Sequence, residues 1–185
     1  MVNLQSPVAM RRVGFDLNYS PQGLFGLTNL TLSQAANIAG DNADWITGGG
    51  GNLVAQFGVT LNNNQSDVLR IFNVSGTVPT GATILGYKVV FSRYDDAESA
   101  SILDLSVRLH HTGAGQTSEN RARVTPWLLA EAAEYGGEND LWGMTLTPAE
   151  INSGLEVRIS VQQLTGSEVL AVVDACNVRV FYLRP

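Results

Sequence analysis

The chain has 185 residues and a formal net charge of −6; 44% of its residues are hydrophobic and only 15% are charged. This length suits a single domain that buries a core without disulfides. A charged fraction so far below the usual quarter indicates that partners cover part of the surface. An acidic chain without a basic cluster argues against direct binding to nucleic acid. No segment has the apolar length of a membrane span, so a membrane is not an expected partner either.

Residues 1–52 are predicted to form an extended N-terminal arm, because their apolar residues follow neither the period of a helix nor that of a strand. Within it, "TLSQAANIAG" could form a short helix between Ser33 and Gly40. The glycine run Gly48 to Gly51 is interpreted as a loop, since a phosphate-binding loop needs a preceding strand, a following helix and a Lys-Ser/Thr ending. Residues 1–20 lack the apolar run of a signal peptide, so we expect synthesis in the cytoplasm without an export signal.

Residues 53–185 alternate apolar and polar side chains over most of their length, which is typical of half-buried strands. In "VPTGATILGYKVVFSRY" the set Leu85, Tyr87, Val89 and Phe91 is predicted to face inward. In "GLEVRISVQQL" the predicted inward residues are Leu155, Val157, Ile159 and Val161. In "SILDLSVRLHH" they are Leu103, Leu105, Val107 and Leu109, while Asp104, Ser106, Arg108 and His110 are predicted to face outward.

These strands predict an all-β fold: a jelly-roll-like antiparallel β-sandwich of about eight strands. Two short helical turns are also predicted. One is "TPAEIN", where Thr147 can cap the turn, Pro148 occupies its first position and Glu150 completes a capping box. The other is "PWLLAEAAEY", from Pro126 to Tyr135.

The side chains that could carry chemistry form no catalytic or metal-binding pattern. His110 and His111 are adjacent on a strand and therefore point to opposite faces, so they cannot chelate one metal together. The acids Asp95, Asp96, Glu98, Glu138 and Asp140 leave a calcium site open as an alternative, although their spacing is not that of an EF-hand. We therefore assign no catalytic, cofactor-binding or metal-binding residue and predict a protein that is not an enzyme.

Four further residues, three tryptophans and the single cysteine, admit two interpretations each. Trp45, Trp127 and Trp142 could stack on sugar rings, but we favour a role as plugs at the ends of the sandwich. Cys176 lies in an apolar run and is interpreted as a small buried hydrophobe, not a nucleophile.

Three segments occur in an order that resembles a known pattern. "VPTGATILGYKVVFSRYDDAESASILDLSVRLHHTGAG" is similar to a strand entrance "IPxGATIxGI" followed by a strand with a conspicuous aspartate. "EYGGENDLWGMTLTPAEINSGLEVRI" and "AVVDACNVRVFYL" are similar to its "YGGxxDLWGxxWTxxDIN" and "AxVDxVxIxVYY" continuations. This pattern belongs to β-sandwich modules of tailed-phage and prophage virion proteins. Leu146 and Glu150 depart from its tryptophan and aspartate, and Leu155 to Val157 replace an apolar "FGV".

The resemblance implies a virion structural protein without a transferable catalytic signature. A short acidic sandwich with an arm and no shaft suits a capsid cement or decoration protein that stabilises joints between capsid subunits. We expect other virion proteins as partners, the major capsid protein first, and a homo-oligomer, with a trimer favoured. The alternative is a carbohydrate- or receptor-binding module associated with the tail or a fibre.

The segment Tyr135 to Gly154 is predicted to be a crossover between the two sheets. Its glycines permit turns, and Leu141 and Trp142 are expected to plug the end of the sandwich. Asp140 and Asp174 are expected to accept backbone N–H groups near this crossover, as buried carboxylates do.

Overall fold

The structure is a computed structural model. It describes residues 64–74, 77–95, 101–164 and 169–184, together with three short strand segments at 25–26, 45–47 and 53–57. The predicted helix in "TLSQAANIAG" and the glycine run Gly48 to Gly51 lie outside the described residues. No helix in the described part is long and apolar enough to cross a membrane.

The described residues form ten strands and one short helix. The strands are β1 (Phe25–Gly26), β2 (Trp45–Thr47), β3 (Leu53–Phe57), β4 (Leu69–Val74), β5 (Thr83–Asp95), β6 (Ile102–His111), β7 (Gln116–Thr117), β8 (Glu131–Gly136), β9 (Leu155–Gln163) and β10 (Val169–Leu183). The helix, α1, spans Pro148–Ser153.

The strands form two antiparallel sheets whose order defines the fold. One sheet has the order β2-β3-β10-β5-β8, with β1 also beside β10, and the other has the order β4-β9-β6-β7. If β1 and β2 are set aside, β3-β10-β5-β8 faces β4-β9-β6-β7, which is the strand order of a jelly roll. The prediction of an all-β sandwich is confirmed. β1 and β2 lie within the segment predicted as an arm, and they extend the six-stranded sheet.

The core lies between the sheets, where the alternating pattern places it. All four residues of β9 that were predicted to face inward are fully buried: Leu155, Val157, Ile159 and Val161. On β5, Tyr87, Val89 and Phe91 are fully buried as well, but Leu85 is only half-buried, because the ladder with β10 shifts register there and Ile84 packs against the core instead. Burial of each such side chain contributes about 1.5–3 kcal/mol to folding, so these two strands provide much of the force that holds the sheets together.

Strand β6 corrects one part of the predicted alternation. Val107 and Leu109 are buried as expected, but the ladder with β9 shifts register between Asp104 and Ser106. A bulge adds one residue to one strand and so moves the side chains before it to the opposite face. As a result Asp104, predicted to face outward, points into the core, and Leu105 is only half-buried.

The predicted helix from Pro126 to Tyr135 is wrong. Residues Glu131–Gly136 form β8 at one edge of the six-stranded sheet, where they pair with β5. Alanine and glutamate favour helices in isolation, but Ala133 and Tyr135 are buried on the inner face of the sheet. Ala133 and Tyr135 lie two residues apart on the same face of the strand, and their packing in the core outweighs the helix propensity of the local sequence.

A buried ion pair joins the two sheets at the position of the bulge. Arg93 of β5 pairs with Asp104 of β6, and only 1% and 0% of their side chains are exposed. The second oxygen of Asp104 accepts the Tyr135 hydroxyl at 2.7 Å and the backbone N–H of Arg123 at 2.9 Å. The Trp127 indole N–H donates to the first oxygen at 2.8 Å. Four donors therefore converge on one carboxylate, as a buried charge requires.

Arg93 is held from a second side by groups of its own sheet and of the adjoining loop. Its guanidinium donates to Glu131 at 2.8 and 2.9 Å and lies 4.4 Å from the centre of the Trp127 ring. Asp104, Arg93, Glu131, Trp127 and Tyr135 are called the inter-sheet network below. This network bonds the two sheets and the loop before β8 to one another.

We predict that Asp104→Ala lowers the free energy of unfolding by about 3–5 kcal/mol, because it leaves a buried guanidinium without its main counter-charge. Asp174→Ala is the matched control, since Asp174 is an exposed carboxylate on β10 and its loss should change stability by less than about 0.5 kcal/mol. Urea unfolding monitored by tryptophan fluorescence measures both. Equal effects of the two substitutions would contradict the network's role.

Candidate functional site

The segment from Tyr135 to Gly154 leaves β8 in one sheet and reaches β9 in the other, so the predicted crossover is confirmed. Trp142 closes this end of the core: it is fully buried and its indole N–H donates to the Tyr87 carbonyl at 3.0 Å. The ring lies against Gly136, whose φ is +74°. A Cβ at Gly136 would overlap both the indole nitrogen and the Tyr87 carbonyl oxygen. The glycine is therefore required by both its φ value and the close approach of the ring.

Asp140 organises the turn before Trp142. One of its oxygens accepts the backbone N–H of Trp142 at 2.8 Å, as predicted. Arg121 donates to both oxygens of the same carboxylate, at 2.7 and 3.0 Å, and this bond lowers the pKa of Asp140 below its ordinary value. The two neighbouring expectations are wrong. Leu141 is 38% exposed and plugs nothing, and Asp174 is exposed at a register shift in β10.

Helix α1 returns the chain to the four-stranded sheet and has the predicted cap. Thr147 accepts the backbone N–H of Glu150 at 3.3 Å, and the Glu150 carboxylate accepts the backbone N–H of Thr147 at 2.7 Å. Ile151 anchors the turn in the core. This reciprocal cap satisfies donors that a helix of one and a half turns would otherwise leave unpaired.

The two histidines point to opposite faces as predicted, and one of them contacts a serine. The Nδ1 atom of His111 accepts the backbone N–H of Ala114 at 2.8 Å, so its proton resides on Nε2. Nε2 lies 3.0 Å from the Ser153 hydroxyl, which itself donates to the Glu150 carbonyl at 2.7 Å. Since Nε2 donates and the serine proton is directed elsewhere, this pair has the wrong polarity for base-activated nucleophilic attack.

All three tryptophans are buried, as the interpretation as plugs requires. Trp45 and Trp127 are 1% exposed and Trp142 is 0% exposed. Each indole N–H has an acceptor, which for Trp45 is the carbonyl of Asp67 at 2.9 Å. Cys176 is fully buried as predicted, and burial raises the pKa of its thiol.

The acids considered for calcium are only partly described. Asp96 and Glu98 lie outside the described residues, and Asp95 is buried and accepts the backbone N–H of Ser101 at 3.3 Å. Asp140 is paired with Arg121. Among the described residues, no group of three potential metal ligands comes together.

The loop before β8 presents apolar side chains to solvent from a fixed base. Val124 is 89% exposed, Leu128 61% and Leu129 52%. Between them, the buried Trp127 donates its backbone N–H to the Ile102 carbonyl at 2.8 Å and belongs to the inter-sheet network. Val124, Leu128 and Leu129 are called the apolar loop. The buried anchor holds it in place, so a partner that covers it orders little chain on binding.

Three half-buried arginines are aligned on the outer face of the four-stranded sheet. Arg158 of β9 is directly opposite Arg70 of β4 on one side and Arg108 of β6 on the other. These three residues are called the arginine row. Alternation along each strand places Arg108 and Arg158 on the outer face, but the sequence carries no signal for the register that aligns them across three strands.

Glu156 is the carboxylate that contacts this row in the described part of the sheet. It accepts Arg70 at 3.0 Å and Arg158 at 2.9 Å, and it also accepts the Thr112 hydroxyl at 2.8 Å. Burial raises the pKa of Glu156, but the bonds from Arg70, Thr112 and Arg158 outweigh this effect and lower it overall. Arg108 donates instead to the Ser118 carbonyl at 2.6 Å.

His110 lies directly opposite Glu156 on the same face of the sheet, so the charge of Glu156 affects the pKa of His110. Its pKa is lowered from 6.5 by burial and, next, by Arg158 and Arg70, although Glu156 acts in the opposite direction. The imidazole is therefore neutral at pH 7. Because protonation occurs at lower pH in the folded state, this residue costs stability as the pH falls below 6.5 toward its folded pKa.

The chain matches no protein-family model, no curated protein and no solved structure.

The packing at Gly136 predicts a contrast between two adjacent glycines. Gly136→Ala should lower the free energy of unfolding by about 2–4 kcal/mol, through strain at a positive φ and overlap with Trp142. Gly137→Ala should change it by less than about 1 kcal/mol, because nothing lies within 4 Å of a Cβ at Gly137. Denaturant unfolding of both variants checks this contrast, and similar values for the two would show that Trp142 does not depend on Gly136.

Proposed function

We propose that this protein is a non-enzymatic structural protein of a phage virion, which decorates the capsid and stabilises joints between its subunits. The observation that carries the proposal is the apolar loop, since exposed apolar side chains on a rigid base are typical of an interface. The resemblance of three ordered segments to virion sandwich modules supports a phage particle as the setting of this interface.

The jelly roll occurs both in viral capsid proteins and in lectins, so the fold alone leaves the carbohydrate- or receptor-binding alternative open. Sugar-binding sites stack pyranose rings on exposed aromatic faces. In this chain all three tryptophan rings are in the core. The burial of Trp45, Trp127 and Trp142 therefore favours protein contact over glycan stacking.

The polarity of the pair His111–Ser153 also supports a role without catalysis. The contact resembles part of a catalytic dyad in composition, but its hydrogen bonds link the end of β6 to α1. A histidine that donates to a serine cannot remove the serine proton. The pair thus strengthens the crossover end of the sandwich.

The proposal is tested on particles assembled without this chain, to which the purified protein is added back. Wild-type protein should bind and raise the temperature at which the capsids open. A variant with Leu128→Ser and Leu129→Ser should bind at least about tenfold more weakly, since buried apolar anchors carry most of the energy of an interface.

Leu183→Ser is the matched control, because Leu183 is 57% exposed at the end of the last strand and outside the apolar loop. It should bind like the wild type. Three results would overturn the proposal: absence of the chain from purified particles, no binding to chain-free capsids, or binding to host glycans without binding to capsids.

A further inference from the structure

We propose that Arg123, beside the apolar loop, binds an aspartate or glutamate side chain that lies among apolar side chains on the capsid surface. This inference rests on the proposed function and names the chemistry of the partner at the same surface. Arginine is one of the residues in which the binding energy of protein interfaces concentrates, especially where apolar neighbours exclude water from it.

Arg123 is attached to the same buried carboxylate as the apolar loop. Its backbone N–H donates to one oxygen of Asp104 at 2.9 Å, and the indole of Trp127, which anchors the loop, donates to the other oxygen at 2.8 Å. Arg123 also directly precedes Val124, the most exposed side chain of the apolar loop. The arginine and the apolar side chains therefore extend from one anchor and belong to one surface.

The guanidinium of Arg123 is exposed and yet held in place. Its Cζ atom lies 4.9 Å from the centre of the Tyr135 ring, and its Nη2 atom donates to the backbone carbonyl of Glu134. Tyr135 is buried and belongs to the inter-sheet network, so the surface under the guanidinium is rigid. A side chain that is oriented in this way before binding loses little rotamer freedom when a partner arrives.

The charge of Arg123 has no carboxylate partner in the described part of the chain. Four other arginines of this part form ion pairs with carboxylates: Arg70, Arg93, Arg121 and Arg158. The side chain of Arg123 instead donates to one neutral acceptor, the carbonyl of Glu134. A guanidinium has five N–H donors, so most of its donors remain available to a partner.

The two acids of β8 do not supply the missing counter-charge, because each is paired elsewhere. The side chain of Glu134 pairs with Lys88, and that of Glu131 pairs with the buried Arg93. A carboxylate that approaches Arg123 from solvent therefore meets a cation that no neighbouring carboxylate of β8 neutralises.

The apolar surroundings of Arg123 identify the partner group as a carboxylate on a protein. The guanidinium fork binds carboxylate or phosphate through paired N–H groups. The phosphate backbone of a nucleic acid has no aliphatic side chains with which to cover the apolar loop, whereas a protein surface offers both an acid and apolar side chains. When these cover the loop they also exclude water from the ion pair, which strengthens it.

The test measures binding to chain-free capsids by co-sedimentation at physiological ionic strength. Arg123→Gln should weaken binding about tenfold, the loss expected for one charge-assisted contact. Arg123→Lys should also weaken binding, because lysine keeps the charge but not the fork. Arg179→Gln is the matched control: it removes the same charge from an exposed position on β10 and should bind like the wild type. Thermal unfolding curves confirm that the variants are folded.

Chemical modification of the capsids identifies the group that Arg123 contacts. Amidation of the exposed capsid carboxylates with a carbodiimide and methylamine should weaken binding of the wild type about tenfold. The same treatment should change the binding of Arg123→Gln much less, because the two partners of one contact are not additive. Equal weakening of the wild type and Arg123→Gln would show that the modified carboxylates do not act through Arg123, which overturns the inference.

The other contradicting outcomes separate this inference from the proposed function. If Arg123→Gln binds capsids like the wild type, or if Arg179→Gln weakens binding equally, the inference fails while the proposed function stands. If the wild type does not bind capsids, the proposed function fails and the inference with it. Self-association of the purified chain that Arg123→Gln abolishes would make a second copy the occupant. Displacement from capsids by a short oligonucleotide, dependent on Arg123, would make nucleic acid the occupant. Either result overturns the inference.

Discussion

The fold depends on one buried carboxylate that needs several donors at once. Asp104 can occupy the core only if its charge is balanced and its oxygens are fully hydrogen-bonded. Arg93 supplies the charge from the opposite sheet, and Tyr135, Trp127 and the backbone of Arg123 supply the other donors. These groups come from two sheets and one loop. The bonds to Asp104 therefore fix the two sheets and the loop relative to one another. The apolar loop is held on a rigid base as a result.

Polar side chains outside the inter-sheet network also join separate elements of the described fold. His111 joins a strand end to α1, and Asp140 joins the crossover to Arg121. On the exterior, the apolar loop is the surface on which the proposed contact function rests.

The sequence predicted the parts of this structure that depend on local alternation or local chemistry. The inward face of β9, that of β5 from Tyr87 onward and the cap of α1 follow from spacing alone. The bulge in β6 could not be predicted, because the alternation of "SILDLSVRLHH" is equally regular in either register and the choice depends on a distant arginine. Strand β8 was missed for a similar reason. Its alanines and glutamates favour a helix locally, and the bond from Tyr135 to Asp104 in the other sheet is not visible in the local sequence. The arginine row is invisible in sequence, since its members are separated by 38 and 50 positions.

The rigid attachment of the apolar loop to the core is tested most directly by hydrogen exchange at the Trp127 indole. If the inter-sheet network holds the loop, this N–H exchanges only through global unfolding. Its free energy of exchange should then equal that of the most protected amides of β5 and β9. Exchange of the Trp127 indole that is faster by orders of magnitude, while those amides and the Trp142 indole stay protected, would show that the loop opens independently and would contradict the account.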